Sequence, residues 1–161
     1  MPRYHVFVAY GGDSAKDVAV DMARCLTRRG FKAHIAVPGL RESINVSSES
    51  EILTKERECD AILAVSTDNS RDSKKFEDEI EMAKYDRSNP IPVIAFLKEN
   101  AKAVLPILTV GCSWVKFKTG EHNGNCAKVA WMVRYVLHQR IKFRRQPRII
   151  SAKKNLRRRK R

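Results

Sequence analysis

The run Cys59-Asp-Ala-Ile-Leu-Ala-Val-Ser66 restricts the possible folds of this chain more than any other segment. It has the length of a strand and is apolar at almost every position. A strand with one wet face alternates apolar and polar residues, so a continuous run implies protein on both faces, as in a parallel sheet covered by helices. Four further segments read as strands: His5–Tyr10, Phe31–Val37, Ile91–Leu97 and Ser113–Phe117. Between them lie segments of helical spacing. Val18, Met22, Cys25 and Leu26 share one face of a helix over 15–29, with Asp13 or Ser14 as its cap and Gly30 as its stop. Ser48–Glu58, Asp72–Tyr85 and Asn123–Ile141 read as three more helices, and 39–47 and 67–71 as loops. Such alternation predicts an α/β fold, a flavodoxin-like three-layer sandwich. Its five-stranded parallel sheet has the order 2-1-3-4-5, with helices on both faces.

Charge divides the chain in two. Residues 142–161 hold 11 Lys/Arg and no Asp/Glu, whereas 1–141 hold the other 21 Lys/Arg and all 18 Asp/Glu, a net +3. The organisation expected is a domain over 1–141 and a basic tail over 142–161 too poor in apolar residues to order on its own. Any contact with a polyanion, whether nucleic acid or an anionic membrane, belongs to that tail. No stretch approaches the roughly 18 apolar residues of a membrane span, and the N-terminus lacks the pattern of a signal peptide. A cytoplasmic protein is expected, with nuclear import through the basic run as an option in a eukaryote.

The motifs for familiar chemistry are missing. Gly11-Gly12 begins no G-x-G-x-x-G and no phosphate loop, and there is no G-x-S-x-G elbow. Cys25, Cys59, Cys112 and Cys126 form no C-x-x-C and have no histidine at metal spacing, so no metal site is expected and the cysteines read as buried free thiols. His34 reads as a core or edge residue. On a sheet of this order, ligands bind beyond the carboxyl ends of the strands, between the first and the third. Tyr10–Ser14 and Ser66–Asp72 would line that crevice.

The helix over 72–85 carries one anomaly. With Phe76 at 0°, Ile80 falls at about 40°, Ala83 at about 340° and Met82 at about 240°, while Glu77, Asp78 and Glu81 point to the other side. Glu79 falls at about 300°, within the apolar arc. A carboxylate so placed is either a boundary group paired with a nearby lysine or a functional one.

These segments, in this order, resemble the Toll/interleukin-1 receptor (TIR) family over residues 4–141. Val6-Phe-Val-Ala-Tyr10 through Asp13 is similar to the family's opening box. Gly30-Phe-Lys-Ala-His-Ile35 with Pro38-Gly39 is similar to its second strand and following loop, and Cys59–Ser66 to its third strand. Ser73-Lys-Lys-Phe-Glu-Asp-Glu79-Ile80 resembles its Ser-x-Trp-Cys-x-x-Glu-Leu segment, with Lys75 where the family has an aromatic residue. Ile91-Pro-Val-Ile and Trp114-Val-Lys-Phe117 resemble the last two strands. The resemblance implies an NAD glycohydrolase of signalling or defence that releases nicotinamide and an ADP-ribose product. It makes NAD a substrate, with no cofactor. It assigns Glu79 the catalytic role and Tyr10, Gly11, Asp13, Ser66 and Phe76 to the substrate. It further implies a site completed by self-association, with the loop at 38–47 moving. The alternatives are a non-catalytic TIR assembly module and an N-glycosidase of the nucleoside deoxyribosyltransferase type.

Overall fold

A computed structural model of the chain describes residues 4–35, 58–68, 73–85, 90–101, 104–109 and 111–145. Five strands, β1 (His5–Tyr10), β2 (Lys32–Ile35), β3 (Ala61–Ser66), β4 (Val93–Lys98) and β5 (Ser113–Phe117), form one sheet of order β2-β1-β3-β4-β5. All four pairings are parallel, with Val6 opposite Ala33 on one side and Ala61 on the other. This is the expected α/β sandwich. The central strand β3 is buried at all six positions, as its unbroken apolar run requires.

Among the described residues, four helices cover the sheet: α1 (Asp13–Arg28), α2 (Lys74–Tyr85), the short α3 (Pro106–Thr109) and α4 (His122–Arg145). Alternation along β1 sends Val6 and Val8 into one core, with Leu26 of α1 and Val129 and Val133 of α4. Phe7 and Ala9 enter the other core, with Phe76 and Ile80 of α2 and Leu108 of α3. That period of two is what lets one strand serve two apolar layers.

Helix ends follow local chemistry. Gly30, at φ 91°, closes α1 as predicted: its N–H donates to the Thr27 carbonyl at 3.1 Å, and the Phe31 N–H to that of Leu26 at 3.0 Å. The expected cap at the start of α1 is corrected. Gly12 occupies the cap position, no side chain caps the helix, and Asp13 is already its first residue. The Ser14 hydroxyl instead meets the Thr67 hydroxyl at 2.5 Å. The final helix runs four residues past Ile141, through Lys142 to Arg145. The expected helix Ser48–Glu58, except for Glu58 itself, the loop at 38–47 and the tail beyond Arg145 lie outside the described residues.

The reading of four free thiols is also corrected. Cys25 near the end of α1 and Cys126 in the first turns of α4 form a disulfide, with their Cα atoms 5.9 Å apart. The two helices lie side by side on one face of the sheet, which brings together residues 101 positions apart in sequence. No spacing rule could reveal that pair. Cys59 and Cys112 are thiols. Burial pushes the Cys112 thiol up, against the opposing pull of the Lys84 ammonium.

Candidate active site

β1 is followed by its neighbour β2 on one side and β3 by its neighbour β4 on the other. The carboxyl ends of β1 and β3 therefore flank the point where the connections diverge. Gly12 turns the chain there at φ 79° and ψ 167°, a conformation open essentially to glycine alone. The Gly11 N–H donates to the Val65 carbonyl at 3.2 Å, and the Ser14–Thr67 hydroxyl pair ties the start of α1 to the end of β3. These bonds anchor the loop after β1 to the end of β3.

A cleft of about 210 Å³ opens beside this loop, between β1 and the first turns of α1 and α2. Ser73 starts α2 as its cap, its hydroxyl accepting the Phe76 N–H at 3.4 Å. That start sets the helix phase: Phe76, Ile80 and Ala83 are buried, and Glu79 stands half-buried in the cleft wall. The anomaly on the helical wheel thus becomes a carboxylate at the edge of a cavity. Tyr10 and Asp13 line the same cleft. Partial burial raises the Tyr10 phenol above its ordinary value of 10.0, and the carboxylates of Glu79 and Asp13 raise it further. A phenol that feels both carboxylates stays protonated through the neutral range and is a hydrogen-bond donor there.

Four of the six residues expected at the site, Tyr10, Asp13, Phe76 and Glu79, line one cavity. Gly11 and Ser66 are buried and do not line it, Gly11 holding the loop and Ser66 ending β3. The cleft also takes in Gly12, Lys16, Ser73 and Lys75. Lys16 could have been found from its place one turn after Asp13 on the same helix face. Lys75 lines the cleft at the position where the resemblance expects an aromatic ring. His34 is a core residue as read, 3% exposed, with its Nε2 3.2 Å from His5 Nδ1. Among the described residues, no group of three or more His, Cys, Asp and Glu side chains is placed to hold a metal ion. No helix among them is long and apolar enough to cross a membrane.

No family model matches this sequence, and no curated protein matches it. Among solved structures, the chain is similar to the TIR domains of the activated Roq1 resistosome, a structure that directly recognizes the pathogen effector XopQ. The identity is 19% and the TM-score 0.45, and the match covers 60% of this chain and 58% of the other. The chain thus spans less than two thirds of the length of that neighbour.

Proposed function

We propose that this chain is a TIR-like domain that cleaves the bond between nicotinamide and ribose in NAD, in the cleft at the carboxyl ends of β1 and β3. The observation that carries the reading is Glu79, an acid of α2 next to the buried Phe76–Ile80–Ala83 stripe that stands in the wall of the cleft beside Tyr10. In NAD the bond to be broken joins the ribose to a cationic pyridinium ring. Nicotinamide departs as a neutral molecule with the bonding electron pair, so no general acid is needed. The sugar carbon it leaves becomes oxocarbenium-like, as in glycoside hydrolysis. Glu79 stabilises that positive charge, or holds the ribose hydroxyls so that it develops beside the carboxylate. Water then adds at the same carbon and releases a proton, giving ADP-ribose. Tyr10 donates a hydrogen bond to the ribose or to a carboxylate, and Phe76 supplies apolar packing beneath Glu79.

The cleft is smaller than the roughly 300 Å³ at which ligand sites usually begin, so it takes one end of a dinucleotide. Self-association would complete the rest of the site. A cytoplasmic role in signalling or defence belongs to the same reading. Incubating the protein with NAD over a range of protein concentrations and measuring free nicotinamide tests it. Release is expected to rise faster than protein concentration and to vanish in Glu79→Gln. Lys75 favours one alternative, a non-catalytic assembly module, because a flexible cation replaces the ring that would stack on nicotinamide. No release at any concentration from folded protein would select that alternative.

A further inference from the structure

The outer face of α4 takes no part in the core. Val129, Val133 and Leu137 turn inward against the sheet, whereas Trp131 and Tyr135, one helical turn apart, stand 61% and 47% exposed. Their rings stack on each other, with centroids 5.3 Å apart and planes 10° from parallel. Exposed large aromatics that touch each other and not the core leave π-surface to solvent, at a cost a bound partner would recover. Lys128 and His138 are exposed one turn to either side of the pair. Arg134, between the two rings in sequence, donates to the Arg29 carbonyl at 3.3 Å and lies over the Phe31 ring, which fixes its cation at the edge of this face.

Charge along the sequence is one-sided, and Lys128 and Arg134 are its cations beside this face among the described residues. From His122 onward the sequence contains 14 Lys/Arg and no Asp/Glu, while residues 1–121 hold 18 of each. The whole net charge of +14 therefore resides in α4 and the segment that follows it. Asp21 of α1 meets His122 in the first turn of α4, away from the aromatic pair.

We propose that this face binds single-stranded nucleic acid, with bases stacking on the Trp131–Tyr135 pair and phosphates held by Lys128 and Arg134. Stacking platforms flanked by cations are how single strands are held without regard to sequence. An anionic membrane fits less well, because an interfacial helix needs a broad apolar face and the apolar face of α4 is already buried on the sheet. A second copy docked through the same face would oppose cation to cation. This inference does not depend on the cleft or on NAD cleavage.

The test uses the full chain carrying Trp114→Phe, which leaves Trp131 as the single tryptophan of the two. The probes are an oligothymidylate of roughly 12 nucleotides, a length within the range one binding module covers, inorganic polyphosphate, and vesicles of phosphatidylcholine and phosphatidylserine. The oligonucleotide is expected to quench Trp131 fluorescence and polyphosphate to leave it unchanged. In separate anisotropy titrations with labelled oligonucleotide, Trp131→Ala and Tyr135→Ala should each weaken binding by on the order of tenfold. Neither should change affinity for polyphosphate. Circular dichroism confirms folding of these surface variants. Oligonucleotide affinity unchanged in the double variant would overturn the proposal, leaving charge alone as the attraction. It would also be overturned by tighter binding to the vesicles with a blue shift of Trp131. Self-association of the free protein that the double variant abolishes would overturn it as well.

Discussion

Reducing the Cys25–Cys126 disulfide perturbs this fold at a point where the effect can be worked out from the topology. The bond joins residues 101 positions apart, so it closes most of the domain into one loop. In the chain-entropy account, a cross-link across about 100 residues removes unfolded-state entropy worth about 4.7 kcal/mol at 25 °C. That is a large part of the roughly 5–15 kcal/mol that holds a domain folded. Native disulfides in small domains cost about 2–5 kcal/mol to remove, so a loss of about 3–5 kcal/mol is expected, or on the order of 10 °C in Tm. Urea unfolding should be followed with and without reductant. Thiol titration of the unfolded chain should count two groups, Cys59 and Cys112, before reduction and four after. A Cys25→Ala/Cys126→Ala variant supplies the control, since its midpoint should ignore reductant. Four thiols in the unreduced protein, or equal midpoints in both conditions, would refute the reasoning. The bond also ties stability to location: glutathione in a cytosol keeps such pairs as thiols, so the protein would be less stable there than in an oxidising compartment.

Glu79→Gln should lower the pH at which Tyr10 ionises, read as phenolate absorbance in a Tyr10-minus-Tyr10→Phe difference. It should not restore the ordinary value, because burial is the larger cause. An unchanged Tyr10 titration would mean the two groups do not share a site. Because the folded pKa of Tyr10 lies above 10.0, the unfolded chain loses this proton first. The contribution is therefore complete below about pH 10 and is lost as pH rises through the folded value. Tyr10→Phe should then flatten the alkaline fall in stability, as measured by urea midpoints from pH 9 upward on the order of two units. Phe76→Ala empties a fully buried site between α2 and the sheet and should cost about 3–5 kcal/mol; a loss below about 1 kcal/mol by denaturant titration would contradict the packing. Removing residues 146–161 should weaken polyanion binding and reduce its salt dependence, leaving the circular dichroism of the domain unchanged.

Much of this protein follows from local pattern. The apolar run at Ala61–Val65 suits a parallel sheet covered on both faces, and β5 has the limits its sequence suggests. Gly30 ends α1 because a left-handed residue must close that helix, a matter of a few neighbouring residues. Glu79 stood out for the same reason: a helix repeats every 3.6 residues, so one carboxylate on an apolar arc is visible without a structure. Tertiary structure decided what depends on distant parts meeting. Ser14 suits a helix cap by type, yet its hydroxyl turns to Thr67, 53 residues away, because the parallel pairing of β1 with β3 sets those loops side by side. Cys25 and Cys126 look like separate buried thiols until α1 and α4 lie together on one face of the sheet. Lys16 and Lys75 belong to different helices, and the exposed pair of Trp131 and Tyr135 reads in sequence like any apolar pair one turn apart. Periodicity shows which residues share a face of one element. What that face meets, a core, a cleft or water, is set by how the elements pack.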